Sequence, residues 1–364
     1  MQITIFGLTI SSSWGNGHAT PYRALIRALH RMGHKVRFYE KDVPYYARHR
    51  DFREVPYCDL VLYPEWATVY RDALAFAANS DVVITASYCP EGARISEEVL
   101  GLRRPLKVFY DLDTPVTFAK FAGEGQTEYL YPQQIPAFDL VLSFTGGTAL
   151  RKLERLYGAQ MARPLYGCVD PDDYHRVAVV PELMCDLSYM GTYAADRQEK
   201  LDAFFLEPAR CSQDMQFLLA GTLYPYDWQW PQNVQHLDHV SPLRHAALYS
   251  SSRATLNITR KDMAESGYCP SGRFFEAAAC GCPILTDAWE GLDTFFSEQE
   301  VICVDSPEFV VRTLRSDRGG LQKLAERARQ RALDEHTGND RARQLLGYFE
   351  EAMSQHRLAQ SEVA

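Results

Sequence analysis

The stretch Tyr268-Cys-Pro-Ser271-Gly272-Arg273-Phe-Phe-Glu276-Ala-Ala-Ala-Cys280-Gly281-Cys282-Pro283-Ile-Leu-Thr-Asp287 decides the reading of this chain. It reads as a loop feeding a short helix, then a tight turn into a buried strand. Ser271 suits the N-cap, Arg273 and Glu276 fall in the first turns, and Gly281 marks the helix end. The bare amides at such a helix start, near Ser271 and Gly272, suit a phosphate group. Glu276, facing the same crevice, can accept hydrogen bonds from ribose hydroxyls, as acidic residues do in dinucleotide folds. Phosphate and ribose together point to a nucleoside diphosphate.

Working outward, apolar strands and helical stretches alternate on both sides of this segment. Upstream lie strands at Leu187–Met190, Phe217–Ala220, Val234–Leu237 and Ala254–Ile258; Pro283–Thr286 and Val301–Val304 follow. Helices are expected at Pro242–Ser250, Arg273–Cys280, Pro307–Leu314 and Leu321–Leu333, with a long last helix at Asp340–His356. An earlier series begins with Gln2–Phe6 and continues through Val36–Glu40, Leu60–Tyr63, Asp81–Thr85, Leu106–Tyr110 and Leu140–Phe144. In the first helix Thr20 and Pro21 read as an N-cap and first-position pair, and Gly33 as the stop. Helices are also expected at Glu91–Leu100 and Thr148–Tyr157. Strands alternating with helices imply parallel sheets covered on both faces. A Pro-, Gly- and Asp-rich lapse at Arg163–Pro181 separates the series. The expected architecture is α/β: two Rossmann-like, doubly wound domains facing a cleft. One spans residues 1–165 and binds acceptor, one spans 182–338 and binds donor, and a helix over 339–364 returns to the first.

Composition narrows the function classes. A chain of 364 residues exceeds what one core usually holds, in keeping with two domains. The net charge of -9 argues against a nucleic-acid binder, which carries a basic footprint. No apolar run is long enough to span a bilayer, and the chain enters a strand at Ile3 without a leader, so the cytoplasm is the expected compartment. The nine cysteines are scattered and never spaced as a zinc pair, so they are read as reduced residues with no metal.

Three further groups bear on chemistry. Gly15-Asn16-Gly17-His18 follows the first strand and allows close backbone approach to a ligand, with His18 able to position an acceptor or sugar hydroxyl. The same loop, with Glu40 as a ribose acid, fits a Rossmann dinucleotide site less well, because Thr20 stands where the third glycine belongs. Asp111 and Asp113 follow the strand Leu106–Tyr110, where parallel sheets bind ligands, and Asp113 is favoured to face the cleft. Arg260 ends the strand Ala254–Ile258 and suits a leaving diphosphate. Arg273 contacts phosphate or pairs with a carboxylate; Gly191, Thr192 and Gly221, at strand ends, face the diphosphate or base. The aromatic segment Tyr224–Pro231 either packs as a loop or stacks on a nucleobase.

With these residues in place, the chain resembles bacterial GT-B glycosyltransferases of the group-1 superfamily, and among them the spore-maturation, CgeB-like branch. The resemblance rests on Phe109-Tyr-Asp111-Leu-Asp113-Thr-Pro115, Phe138–Gly147, Asp186–Thr192, Leu256-Asn-Ile-Thr-Arg260 and Pro270-Ser271-Gly272-Arg273-Phe-Phe-Glu276. It implies a nucleotide-sugar donor held by the second domain, an unidentified acceptor against the first, and no metal or other cofactor. It also implies ribose binding by Glu276 and diphosphate binding by Arg260. Retaining members carry a sugar-contacting glutamate where this chain has Tyr268, so retention of configuration is implied with one departure. The expected activity is sugar transfer from a nucleoside diphosphate sugar to a hydroxyl, metal-independent and retaining. For an inverting course Asp113 or His18 is the base. The competing readings are a nucleotide-sugar epimerase, an NAD-dependent dehydrogenase and a non-catalytic sugar-nucleotide binder.

Overall fold

A computed structural model describes the backbone of residues 1–363 and the side chains of residues 1–355. The chain divides into two compact units, Met1–Tyr166 with the segment from Gly338 onward, and Gly167–Thr337.

The first unit is built on seven strands: β1 (Gln2–Gly7), β2 (Lys35–Lys41), β3 (Asp59–Tyr63), β4 (Val82–Ala86), β5 (Leu106–Asp111), β6 (Leu140–Ser143) and β7 (Ala162–Pro164). Their order is β3-β2-β1-β4-β5-β6-β7, with every pairing parallel. Ile3 sits between Val36 on one side and Val82 on the other, a register that stacks β-branched residues across the sheet centre. Phe6, Val83 and Tyr39 pack with Trp66, Ala73 and Ile95 on one face. Phe109 and Val141 pack with Ile135, Phe138 and Leu153 in a second cluster. The last helix, Gly338–Val363, packs along the first, Ala19–Arg31.

Two local expectations change. The first helix starts at Ala19, with His18 at the N-cap, so Thr20 and Pro21 lie inside its first turn rather than at its entrance. Proline is accommodated there because first-turn N–H groups have no helical partner. The stretch expected as linker begins with β7, whose three residues pair parallel with β6. So short an edge strand has too little apolar sequence to stand out from the Pro- and Gly-rich residues after it.

The second unit holds β8 (Leu187–Met190), β9 (Phe217–Ala220), β10 (Val234–Leu237), β11 (Thr255–Asn257), β12 (Ile284–Thr286) and β13 (Ile302–Cys303). Their order is β10-β9-β8-β11-β12-β13, again all parallel. Leu187, Tyr189, Phe205, Phe217, Leu219, Leu256 and Leu285 form its core. After β8 one helical run, Ala195–Cys211, passes through a π turn at Asp202–Leu206. Pro208 lacks the N–H that the Phe204 carbonyl would otherwise receive, which accounts for the widened turn.

In each sheet the strand order reverses once, between β1 and β4 in the first unit and between β8 and β11 in the second. Loops leaving the carboxyl ends of strands at such a reversal diverge to opposite faces and leave a crevice. His18 follows β1, Gly191 and Thr192 follow β8, Arg260 follows β11 and Glu276 sits on a helix between β11 and β12, while Asp113 follows β5, the neighbour of β4.

Candidate active site

The helix Gly272–Ala279 is held by its own sequence. Ser271 accepts from the Arg273 amide at its N-cap. At its end Gly281 takes φ 67°, the Gly281 amide donates to Ala278 O at 2.8 Å, and the Cys282 amide donates to Ala277 O at 3.0 Å. This is the double-bonded termination that a left-handed glycine permits. Glu276, one turn in, is 6% exposed. Its carboxylate receives one long hydrogen bond, 3.5 Å from Tyr249 Oη, and faces His245 Nδ1 at 3.7 Å. Burial and the neighbouring Glu276 charge push the Tyr249 phenol well above its ordinary range, so it stays protonated and donating. His245 is turned by Tyr174 Oη at 3.2 Å and by Val240 O at 3.1 Å. Among the described residues no arginine or lysine pairs with Glu276, which leaves acceptor capacity for a ligand.

Basic residues gather at the reversal between β8 and β11. Arg260 follows β11 and is half-exposed; its Nε reaches Asp196 Oδ2 at 3.3 Å, and the same oxygen accepts from the Lys261 amide at 3.1 Å. Arg273 makes no ion pair or side-chain hydrogen bond among the described residues. The third cation, Arg197, was not among the expected site residues. It lies in the first turn after β8, is 9% exposed, donates to the Thr192 carbonyl, and leaves its Nε buried without a partner. Burial pulls the Arg197 guanidinium below its ordinary range, and the charges of Arg273 and Arg260 push the same way. It remains a cation, since guanidinium does not lose its proton in proteins. A buried charge with an unpaired N–H beside two further cations is an unstable arrangement unless an anion completes it.

Glycines shape the same crevice. A Cβ on Gly221 would stand 1.9 Å from the Gly191 carbonyl oxygen, so the loops after β8 and β9 can touch only if residue 221 is glycine. Tyr224 Oη donates to Gly191 O at 3.2 Å and packs with Trp228 and Trp230. This aromatic segment thus braces the loop that carries Gly191 and Thr192. Tyr268 holds φ 48°, and its amide donates to Glu290 O at 2.7 Å.

In the first unit His18 and Asp113 meet: Nε2 of His18 lies 2.8 Å from Asp113 Oδ2, with the two side chains 13% and 19% exposed. With Nε2–H donating to the carboxylate, Nδ1 keeps its lone pair, and it is buried without a partner. Asn16 is spent on its own loop, donating to Thr9 O and Ser12 O and accepting from the His18 amide. Gly15 adopts φ 58°, whereas Gly17 has open space where a Cβ would be.

Glu40 settles the dinucleotide reading against itself. It is fully buried and accepts from Thr9 Oγ1 at 2.7 Å, the Ile10 amide at 2.9 Å, the Ser11 amide at 3.1 Å and Ser11 Oγ. A carboxylate so committed to shaping the loop after β1 has no capacity for a ribose.

Asp111 is 1% exposed; Oδ1 accepts from the Asp113 amide at 3.1 Å, and Oδ2 has no partner. Burial lifts its carboxyl from 3.8 to about 7. Between those values the folded chain holds a proton that the unfolded chain has lost, so stability falls as pH rises across that window. Asp111→Asn is expected to flatten this slope and to exceed the wild type in stability at about pH 8. Urea midpoints measured across the window check it, and an unchanged slope in the variant would place the titration elsewhere. No group of three metal-ligating side chains occurs among the described residues. No disulfide joins any of the nine cysteines among the described residues, and no described helix is long and apolar enough to cross a membrane.

Comparison with known proteins fits this geometry. Residues 197–347 match the family model described as glycosyl transferase-like, a span that begins at Arg197 and takes in Arg260, Arg273 and Glu276. The fold matches an alpha-glucosyltransferase in complex with UDP and a 13-mer DNA, at 13% identity and TM-score 0.72, covering 96% of this chain and 99% of that one. It also matches sucrose-phosphate synthase from Thermosynechococcus elongatus, at 13% identity and TM-score 0.67, covering 98% and 100%. Anabaena Alr3699/HepE in complex with UDP-glucose matches at 12% identity and TM-score 0.65, covering 98% and 100%. No curated protein sequence matches significantly. The class is therefore set by architecture: two parallel-sheet α/β units of the GT-B glycosyltransferase fold. Within that class, the glycosyl transferase-like sequence covers most of the second unit and the start of the last helix.

Proposed function

We propose that the chain transfers a sugar from a nucleoside diphosphate sugar to an acceptor hydroxyl, without a metal ion. The observation that carries this reading is the buried Arg197, its Nε unpaired, beside Arg260 and Arg273 at the reversal of the second sheet. That cluster suits a diphosphate, and the buried acceptor Glu276, not neutralised by a cation, suits the ribose. UDP or UDP-glucose occupies several proteins of similar fold, so uridine is the proposed base. The bond from the anomeric carbon to the β-phosphate breaks, the diphosphate leaves with the electron pair, and the acceptor oxygen bonds to the anomeric carbon. Fixed cations and helix-end amides do for the leaving group what a metal does elsewhere.

The resemblance to retaining members of the group-1 superfamily, with its departure at Tyr268, supports retention, in which the departing phosphate takes the acceptor proton. A second reading, inversion, is favoured by the His18–Asp113 bond, since His18 Nδ1 is then the base that takes that proton. The anomeric configuration of the product, read by NMR, decides between them. With five buried cysteines and no disulfide, the cytoplasm is the compartment we propose.

A melting assay in EDTA tests the core of this reading. UDP at a hundred times its dissociation constant is expected to stabilise the protein by about 2.7 kcal/mol. GDP, dTDP and CDP are the comparisons. No response to any of the four would overturn the donor assignment, and a response lost in EDTA would overturn metal independence.

A further inference from the structure

A second set of groups in the first unit bears on the acceptor. At the reversal of that sheet His18 follows β1 and Tyr88 follows β4, the adjacent strand. Tyr88 holds φ 60°, a left-handed backbone that a bulky residue rarely adopts and that concentrates at ligand sites. Its ring stands edge-on to His18 at 5.7 Å and lies 5.1 Å from the ring of Tyr129. Beyond it is Lys120, whose Nζ lies 5.8 Å from the Tyr88 centroid and 5.9 Å from that of Tyr129.

Lys120 differs from the other bases around this loop cluster. Lys41 pairs with Glu65 and Glu91, Arg23 with Asp51, and Arg50 with Asp42. Lys120 forms no ion pair among the described residues and rests on ring faces instead. In a chain of net charge -9, an ammonium that has no carboxylate partner among the described residues and shares the Tyr88 ring with His18 can take an anion from outside. The Tyr88 ring thus borders both groups, edge-on to His18 and within cation–π reach of Lys120.

We propose that the acceptor is an anionic alcohol, bearing a carboxylate or a phosphate, bound with its acid group on Lys120 and its hydroxyl at His18 across the Tyr88 ring. This assignment rests on the transferase reading above and names the acceptor class for it.

The test uses the full chain loaded with UDP and follows the His18 imidazole resonance while glucose, glucuronate and glucose 6-phosphate are titrated in turn. Both acids, or one of them, are expected to bind at least about tenfold more tightly than glucose, the gain of one charge-assisted contact. Lys120→Gln is expected to erase that difference and Lys120→Arg to keep it. The ranking of glucuronate against glucose 6-phosphate separates carboxylate from phosphate. Equal affinity for glucose and the acids, a preference that survives Lys120→Gln, or no shift of the His18 resonance by either acid would each overturn the proposal. Failure of the donor reading is seen separately, as absence of stabilisation by UDP before any acceptor is added.

Discussion

Arg197→Met is expected to lower turnover by about a hundredfold or more, as loss of one electrostatic stabiliser does, while raising the melting temperature of the unliganded protein. The two effects have one cause. Arg197 is buried with Nε unpaired and with Arg273 and Arg260 as like-charged neighbours, so its charge is poorly compensated by the protein itself. Methionine fills similar volume without that charge, and apolar replacement of buried charges often stabilises by about 1–4 kcal/mol. In the proposed transfer the same guanidinium meets the negative charge growing on the leaving diphosphate, and methionine offers it nothing. Steady-state kinetics with a UDP-sugar and a melting curve of the free protein check both halves. Wild-type turnover would remove Arg197 from the site, and a lowered melting temperature would make it a structural brace of the Thr192 carbonyl. Arg260→Ala is expected to cost less than Arg197→Met, because Arg260 is half-exposed and already engages Asp196.

Glu276→Ala is expected to fail in a different way, by weakening UDP binding about tenfold to a hundredfold, or roughly 1.5–3 kcal/mol, with turnover at saturating donor nearly intact. Ribose hydroxyls keep their distance from the reacting carbon, so their hydrogen bonds are made alike before and during transfer. The folded state tolerates the change, since among the described residues the carboxylate receives a single 3.5 Å bond, from Tyr249, and faces His245 at 3.7 Å. Calorimetric titration with UDP, set beside turnover at saturation, measures the split. A large fall in turnover with unchanged affinity would move Glu276 from the ribose to the reaction centre.

These two residues show what sequence makes visible. Glu276 stood out because its surroundings are local: a Ser271 cap, a small-residue run and Gly281 define a helix whose first turns must carry it. Arg197 lies in Asp196-Arg197-Gln-Glu-Lys200, a run of charges that reads as a solvated helix face. Only the packing of the helix after β8 buries Arg197 and leaves the rest of that run partly or fully exposed.

The strands, their alternation with helices and hence the parallel character of both sheets follow from apolar blocks and turn residues within a few positions of each other. So do the Ser271 cap and the glycine termination at Gly281, because the interactions that select them span one helical turn. The tertiary structure alone decided the rest. Glu40 became a brace for the loop after β1, His18 found Asp113 across 95 residues of chain, and Asp111 lost its solvent. Each of these roles depends on which strand ends the sheet order brings together and on how far water is excluded there. Neither is written in the spacing of residues along the chain, since contact between distant segments and burial of a charge are properties of the packed fold.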